Sequence, residues 1–213
     1  MPDHPIRRTS PHIVRKQFTR EICRNVLITS PQCTAFLAVT MGLSYRRRYD
    51  SSVTSTVSTG ITVRKLQLAE IEELAAAIPE VTDAQLANRW REQTLGYREL
   101  LVAERDGELV GTVGIAELQR PSSIHLFALE VAGEHRNEGI GGDIVRWVME
   151  EARRRGRERV FLEVRTDNPA RRLYHRLGFR RVGPAFVNSW WLFNADGSQT
   201  RMEEPSVRMV RRV

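Results

Sequence analysis

The chain has 213 residues, 41% of them hydrophobic and 28% charged, with two cysteines, Cys23 and Cys33. That length holds one core of ordinary size with an appendage, and two cysteines alone build neither a disulfide framework nor a zinc site. No apolar run approaches membrane-spanning length, so a cytoplasmic protein without a membrane partner and without a metal is expected. The net charge of +7 would suit a nucleic-acid binder, yet residues 1–60 set nine Lys/Arg against Asp3, Glu21 and Asp50, leaving only +1 for residues 61–213. A groove that tracks a phosphate backbone needs its excess on the folded part, and binding of nucleic acid by the core is not expected on that ground.

Residues 1–60 show no sustained period. They contain Pro2, Pro5, Pro11 and Pro31, the cluster Arg46-Arg47-Arg48 and a Ser/Thr-rich run from Ser51 to Thr59. They read as a basic, disordered extension, with a transit peptide, a signal core at Ala35–Leu43, or translation starting at Met41 as rivals. A folded domain is expected over 61–213. Ile61, Val63 and Leu66 suggest a first strand. Ile71, Leu74, Ala75 and Ile78 fall at i, i+3, i+4 and i+7, a helix stopped by Pro79. Thr82-Asp83-Ala84-Gln85 has the form of a capping box, opening a helix with Leu86, Trp90 and Tyr97 on its buried side. Asp106-Gly107 supplies the positive φ angles of a tight hairpin turn between Leu100–Glu104 and Leu109–Ala116. Ile124–Val131 is apolar at nearly every position, as in a central strand covered on both faces.

Arg136-Asn137-Glu138-Gly139-Ile140-Gly141-Gly142 follows, and then a helix whose buried face is Ile144, Val145, Val148, Met149 and Ala152. Strand, glycine turn and helix suit a phosphate, because glycine allows close backbone approach and the first helical amides lack internal partners. Arg153, Arg154 and Arg155 stand where the helix dipole favours cations, and Gly156 ends the helix. After a strand at Val160–Val164, Asn168 and Pro169 read as N-cap and first turn of a short helix with Leu173, Tyr174 and Leu177 as its apolar stripe. Ala185–Phe193, a turn at Asn194–Gly197 and a strand around Val207–Val210 complete the chain.

Two blocks carry a resemblance. Leu129-Glu130-Val131-Ala132-Gly133-Glu134-His135-Arg136-Asn137-Glu138-Gly139-Ile140-Gly141 is similar to the strand-4 ending and Arg/Gln-x-x-Gly-x-Gly/Ala loop of the GNAT superfamily of acyl-CoA-dependent N-acetyltransferases. Asn168 to Phe179 resembles that family's Asn-x-x-Ala-x-x-Leu-Tyr-x-x-x-Gly-Phe pattern, with Ala170 and Arg171 one step out of register, and Gly133 stands where a proline is common. The resemblance covers residues 61–213. It implies an α+β fold, a twisted mixed sheet flanked by helices in three layers, with strands 4 and 5 splayed to hold acetyl-CoA as co-substrate. It further implies that Leu129 and Val131 pair with the pantetheine, that Arg136, Asn137, Glu138, Gly139, Ile140, Gly141 and Gly142 hold the pyrophosphate, and that Asn168 contacts the cofactor or acyl end. Tyr174 is the implied acid for the departing thiolate. A phenol with an ordinary pKa near 10 stays protonated at neutral pH and can donate without a large shift.

For the general base, Glu130, Glu117, Glu163 and His125 are all candidates and none stands out. The partner implied is an amine acceptor, small molecule or peptide, selected by Glu70–Tyr97 and by a C-terminal hairpin bearing Trp190, Trp191, Phe193, Asp196, Glu203 and Glu204. Aromatic rings and carboxylates together can hold an ammonium group, and alternation along a strand sends one tryptophan to the core. A homodimer is compatible with this reading, and the alternative function is a non-catalytic acyl-CoA-binding module.

Overall fold

The computed structural model describes residues 55–56, 60–117, 122–194, 196 and 198–213. The expected basic extension therefore lies outside the described residues apart from Ser55, Thr56 and Gly60, as do Ala195 and Gly197 of the expected turn.

The described strands form one mixed sheet. They are β1 (Thr62–Lys65), β2 (Glu99–Arg105), β3 (Glu108–Ala116), β4 (Ser123–Val131), β5 (Arg159–Arg165), β6 (Arg180–Phe193) and β7 (Gln199–Arg212), in the spatial order β1-β2-β3-β4-β5-β7-β6. A two-residue segment, Ser55–Thr56, pairs along the outer edge of β1. All neighbours are antiparallel except β4 and β5. Asp106 and Gly107, at φ 54° and 84°, make the tight turn between β2 and β3.

Two helices cross one face, α1 (Ile71–Ala77) and α2 (Asp83–Thr94), and two cross the other, α3 (Ile140–Arg154) and α4 (Arg171–Arg176). Alternation along β2 divides the core between them: Leu101 and Ala103 join the cluster built on α3 and α4, while Leu100 and Val102 are buried on the opposite side, with Leu66, Ile71, Leu74 and Leu86 also outside that cluster. The capping box forms, with Thr82 Oγ1 accepting from Gln85 N at 3.2 Å and Gln85 Oε1 accepting from Thr82 N at 2.9 Å. Tyr97 does not lie on the buried side of α2, because the helix ends at Thr94 and Tyr97 follows it, 42% exposed.

Of the three arginines at the end of α3, one is core. Arg155 donates to Glu99 Oε1 (2.5 Å), Glu117 Oε1 (2.9 Å) and Glu151 Oε1 (2.6 Å) and is almost wholly buried. The helix after β5 begins at Arg171, two residues later than expected; Asn168 Oδ1 accepts from Ala170 N at 2.8 Å in the turn that precedes it. The last two strands are far longer than expected. Pro184, Pro205 and a bulge between Val182 and Phe186 conceal their period, but the ladder runs from Arg180↔Val210 to Phe193↔Gln199. Neither hairpin tryptophan enters the core: Trp190 is 37% and Trp191 56% exposed, since this part of β6 pairs only with β7. Among the described residues no helix is long and apolar enough to cross a membrane.

Candidate active site

The site begins where β4 and β5 part. The two strands pair in parallel at Ser123↔Arg159, Ile124↔Val160 and His125↔Phe161, and at no later residue. Beyond that vertex β4 stays on β3 as far as Gly111↔Val131, and β5 stays on β7 as far as Arg165↔Ser206. Each strand follows its own partner, so the sheet opens between them and, among the described residues, no strand lies against the β4 edge from Leu126 to Val131.

A bulge re-aims that edge. Between Gly114↔Phe127 and Thr112↔Glu130 the single residue Val113 faces Ala128 and Leu129, and Ala128 takes φ 48°. Gly114 makes room for it. A Cβ there would sit 2.3 Å from the Phe127 ring, which lies across the β3 backbone. The expectation of a strand covered on both faces holds for Ile124 and Leu126 alone; His125 and residues 127–131 are half-buried because β5 has turned away.

The strand runs into the glycine loop through a short 3-10 turn, Gly133–His135. Asn137 (φ 69°) and Gly139 (φ 91°) are both left-handed, a backbone course that directs successive amides outward. The first amide of the helix with a backbone acceptor in the loop is that of Gly142, bonded to Gly139 O at 2.8 Å, followed by Asp143 to the same oxygen at 3.1 Å. Among the described residues the amides of Glu138, Gly139, Ile140 and Gly141 carry no protein acceptor outside the helix, and the positive end of α3 stands behind them. A Cβ on Gly139 would meet nothing within 4 Å, whereas one on Gly141 would lie 3.6 Å from both Val131 Cγ2 and Leu173 Cδ2. Gly141 is thus the point where β4, α3 and α4 converge.

Arg136 is turned back from the loop: its Nε donates to Val131 O at 3.2 Å and its Nη2 pairs with Glu80. Glu138, an acid among the loop amides, is matched by Arg105 Nη2 at 2.6 Å, whose hydrogen bond holds the carboxyl below its ordinary range. Asn168 is half-buried and bonded to Ala170 N. Tyr174, on α4, is 6% exposed and meets Phe179 edge to face with centroids 5.9 Å apart. Burial pushes its hydroxyl up to about 12, so it is a fully protonated donor at neutral pH.

The four candidate bases separate sharply. Glu117 belongs to the far end of the sheet, bonded to Arg155 and Arg157. Glu163, on β5 just past the vertex, accepts from Arg208 Nη2 at 2.6 Å. His125 lies at the vertex itself, stacked on Phe161, and burial pushes it down to about 4. Glu130 faces α2, where Arg89 Nη2 approaches Oε1 at 3.6 Å; burial raises its pKa, and its Oε2 is enclosed without a donor. Of the four, Glu130 combines a carboxyl raised by burial with a place beside the open edge of β4. In the hairpin, Trp190 and Met202 are register partners, as are Asn188 and Glu204, whereas Trp191 lies on the other face beside Arg201. Among the described residues no group of three or more His, Cys, Asp or Glu is placed to hold a metal.

Comparison with known proteins matches this arrangement at three levels. The chain is 38% identical to human N-acetyltransferase 8B over 96 residues, 42% of this chain; that match spans 41% of the human protein, less than half its length. A mouse protein, probable N-acetyltransferase family 8 member 5, is 29% identical over 158 residues, covering 72% of this chain and 69% of its own. Among solved structures, the ribosomal-protein-S18-alanine N-acetyltransferase from Escherichia coli superposes with a TM-score of 0.54 at 17% identity, covering 72% of this chain and 94% of its own. The spermidine N-acetyltransferase from Vibrio cholerae in complex with CoA and spermine does so at 0.55 and 17%, covering 73% and 96%. The family model for the acetyltransferase (GNAT) family matches residues 66–179, a stretch that takes in the parted strands, the glycine loop and the helix of Tyr174 together, and the chain belongs to that family.

Proposed function

We propose that this protein transfers the acetyl group of acetyl-CoA to an amine by direct attack within a ternary complex, in the cytoplasm. The observation that carries the reading is continuity. An unpaired strand edge, Leu126–Val131, runs through a short turn into a row of unpaired amides at the start of a helix. Such a track fits a ligand with amide groups at one end and a diphosphate at the other, and Gly139 and Gly141 leave room for its approach.

In this reading Leu129 and Val131 offer backbone N–H and C=O groups to the pantetheine arm. The open amides of Glu138 to Gly141 hold the diphosphate, with Asn137 and Gly142 shaping the loop around it and Arg136 and Asn168 beside the path. Acetyl-CoA, when bound, supplies the acetyl group as a thioester. The backbone amide at the Ala128–Leu129 bulge is positioned to polarise a carbonyl oxygen. Tyr174 holds a proton on Oη for the departing sulfur, and Glu130, with its raised pKa and vacant lone pairs, draws the proton from the incoming ammonium. Holding both reactants across the vertex supplies much of the acceleration. A screen of small-molecule and peptide amines with acetyl-CoA, following CoA release, tests this. Release accelerated by an amine supports it; tight acetyl-CoA binding with no accelerating amine would make the chain a binding module instead.

A further inference from the structure

On the sheet face away from α3, Arg159 of β5 and Arg212 of β7 are register partners, directly opposite each other. Like charges in that position destabilise an antiparallel pair. Further along the same ladder the two strands are matched, Glu163 opposite Arg208 and accepting from it at 2.6 Å. Arg159 approaches a carboxylate at Glu158, 3.9 Å away, with both side chains largely in solvent. Neither arginine faces a carboxylate across the ladder, and an anion seated between them would offset their repulsion.

The surroundings specify more. Arg159 and Arg212 line a groove of about 610 Å³ together with Ser123, Phe161, Phe186 and Arg208, and no acidic side chain lines it among the described residues. The bulge in β6 creates the space, with Gly183 at φ 78° and Pro184 carrying the strand away from β7. Within the groove the Arg208 guanidinium lies over two rings, 5.6 Å from the centroid of Phe161 and 5.8 Å from that of Phe186. Phe161 is also the last β5 residue paired to β4 and carries the stacked His125, so one end of the groove is the vertex. The arginine pair lies two residues further down, about 7 Å along the strand.

We propose that this groove binds the acceptor by an anionic end: the substrate is an amine that also bears a carboxylate on a flat apolar body. The assignment rests on the acetyl-transfer reading above. Arg159 and Arg212 take the carboxylate in charge-assisted hydrogen bonds, the body lies along Val210 and Phe186, and the amine points to the vertex. A polyamine is repelled by the same lining.

The test compares 4-(aminomethyl)benzoate with benzylamine as acceptors in CoA release. The acid should show at least a tenfold higher kcat/KM, most of it in KM, and Arg159→Gln with Arg212→Gln should bring the ratio of the two amines near one. Using the ratio cancels any general loss from the substitutions. A wild type that does not prefer the acid, or a preference that survives in the double variant, overturns the proposal. Benzoate should inhibit competitively against the amine; non-competitive inhibition would put the anion at a separate site and also overturn it. If neither amine accelerates CoA release, acetyl transfer to such amines is what fails. The groove is then judged by calorimetric titration of benzoate: saturable binding lost in the double variant supports an aryl-carboxylate site, and no binding overturns it.

Discussion

His125 lies flat on Phe161, ring centroids 4.6 Å apart and planes 5° from parallel, at the last position where β4 and β5 are joined. Burial holds the imidazole neutral by pushing its pKa from 6.5 down to about 4, opposed by Glu163 and reinforced by Arg98 and Arg208. The unfolded chain therefore binds a proton there that the folded chain rejects. Stability from this residue is complete above about pH 6.5 and is lost as pH falls toward 4, by on the order of 3 kcal/mol. His125→Phe keeps the stack and removes the titration. Urea midpoints at pH 7.5 and 4.5 should lie closer together in the variant than in the wild type, and an unchanged gap would show that His125 is not the acid-sensitive group.

Gly139 and Gly141 should respond differently to a methyl group. Gly139 holds φ 91°, where any Cβ is strained, and Gly139→Ala is expected to cost about 1 kcal/mol in stability as well as affinity. Gly141 is helical and would make only ordinary 3.6 Å contacts, so Gly141→Ala should leave Tm within about 2 °C while weakening acetyl-CoA tenfold or more. Thermal melts beside acetyl-CoA titrations separate the two. Gly141→Ala with full affinity would mean that no ligand approaches that face of the loop.

Local chemistry made much of this site legible in the sequence. The capping box at Thr82, the Asp106-Gly107 turn and the glycine loop each depend on a few adjacent residues whose backbone requirements are written in their types. What stayed hidden depends on distant partners. The Ala128–Leu129 bulge exists because Gly114, on a neighbouring strand, admits the Phe127 ring. The departure of β5 from β4 leaves no trace in the apolar run Ile124–Val131, since the same residues would suit a fully covered strand. Arg155 looks like Arg153 and Arg154 until Glu99 and Glu117 arrive from β2 and from just beyond β3.

That buried arginine gives a stability prediction. Removing it leaves Glu99, Glu117 and Glu151 gathered without the cation they share, and breaking a buried pair from one side costs about 3–5 kcal/mol. Arg155→Gln should approach that figure in chemical denaturation. Arg153→Gln, two residues away and paired with Glu150 in solvent, should change stability by less than about 0.5 kcal/mol. Equal effects from the two substitutions would rule out a structural role particular to Arg155.

Tyr174→Phe isolates the proposed proton donor. Among the described residues the Tyr174 hydroxyl has no protein partner, and the ring packs on Phe179 through carbon alone, so the variant should fold with an unchanged Tm. Leu129, Val131 and the loop amides are untouched, and acetyl-CoA affinity should stay within about twofold of the wild type. In the proposed reaction the chemical step loses the group that protonates the leaving thiolate, and kcat should fall by about 10² to 10⁴, the usual span of general acid catalysis. Because burial already pushes the phenol up to about 12, ionisation of Tyr174 cannot account for a loss of activity between pH 7 and 10. The alkaline limb of the wild-type pH profile should therefore lie above that range, with the acidic limb set by the amine and its base. Measuring kcat against pH in both proteins checks the two statements together: a variant with wild-type kcat would remove Tyr174 from the chemistry, whatever its place in the motif.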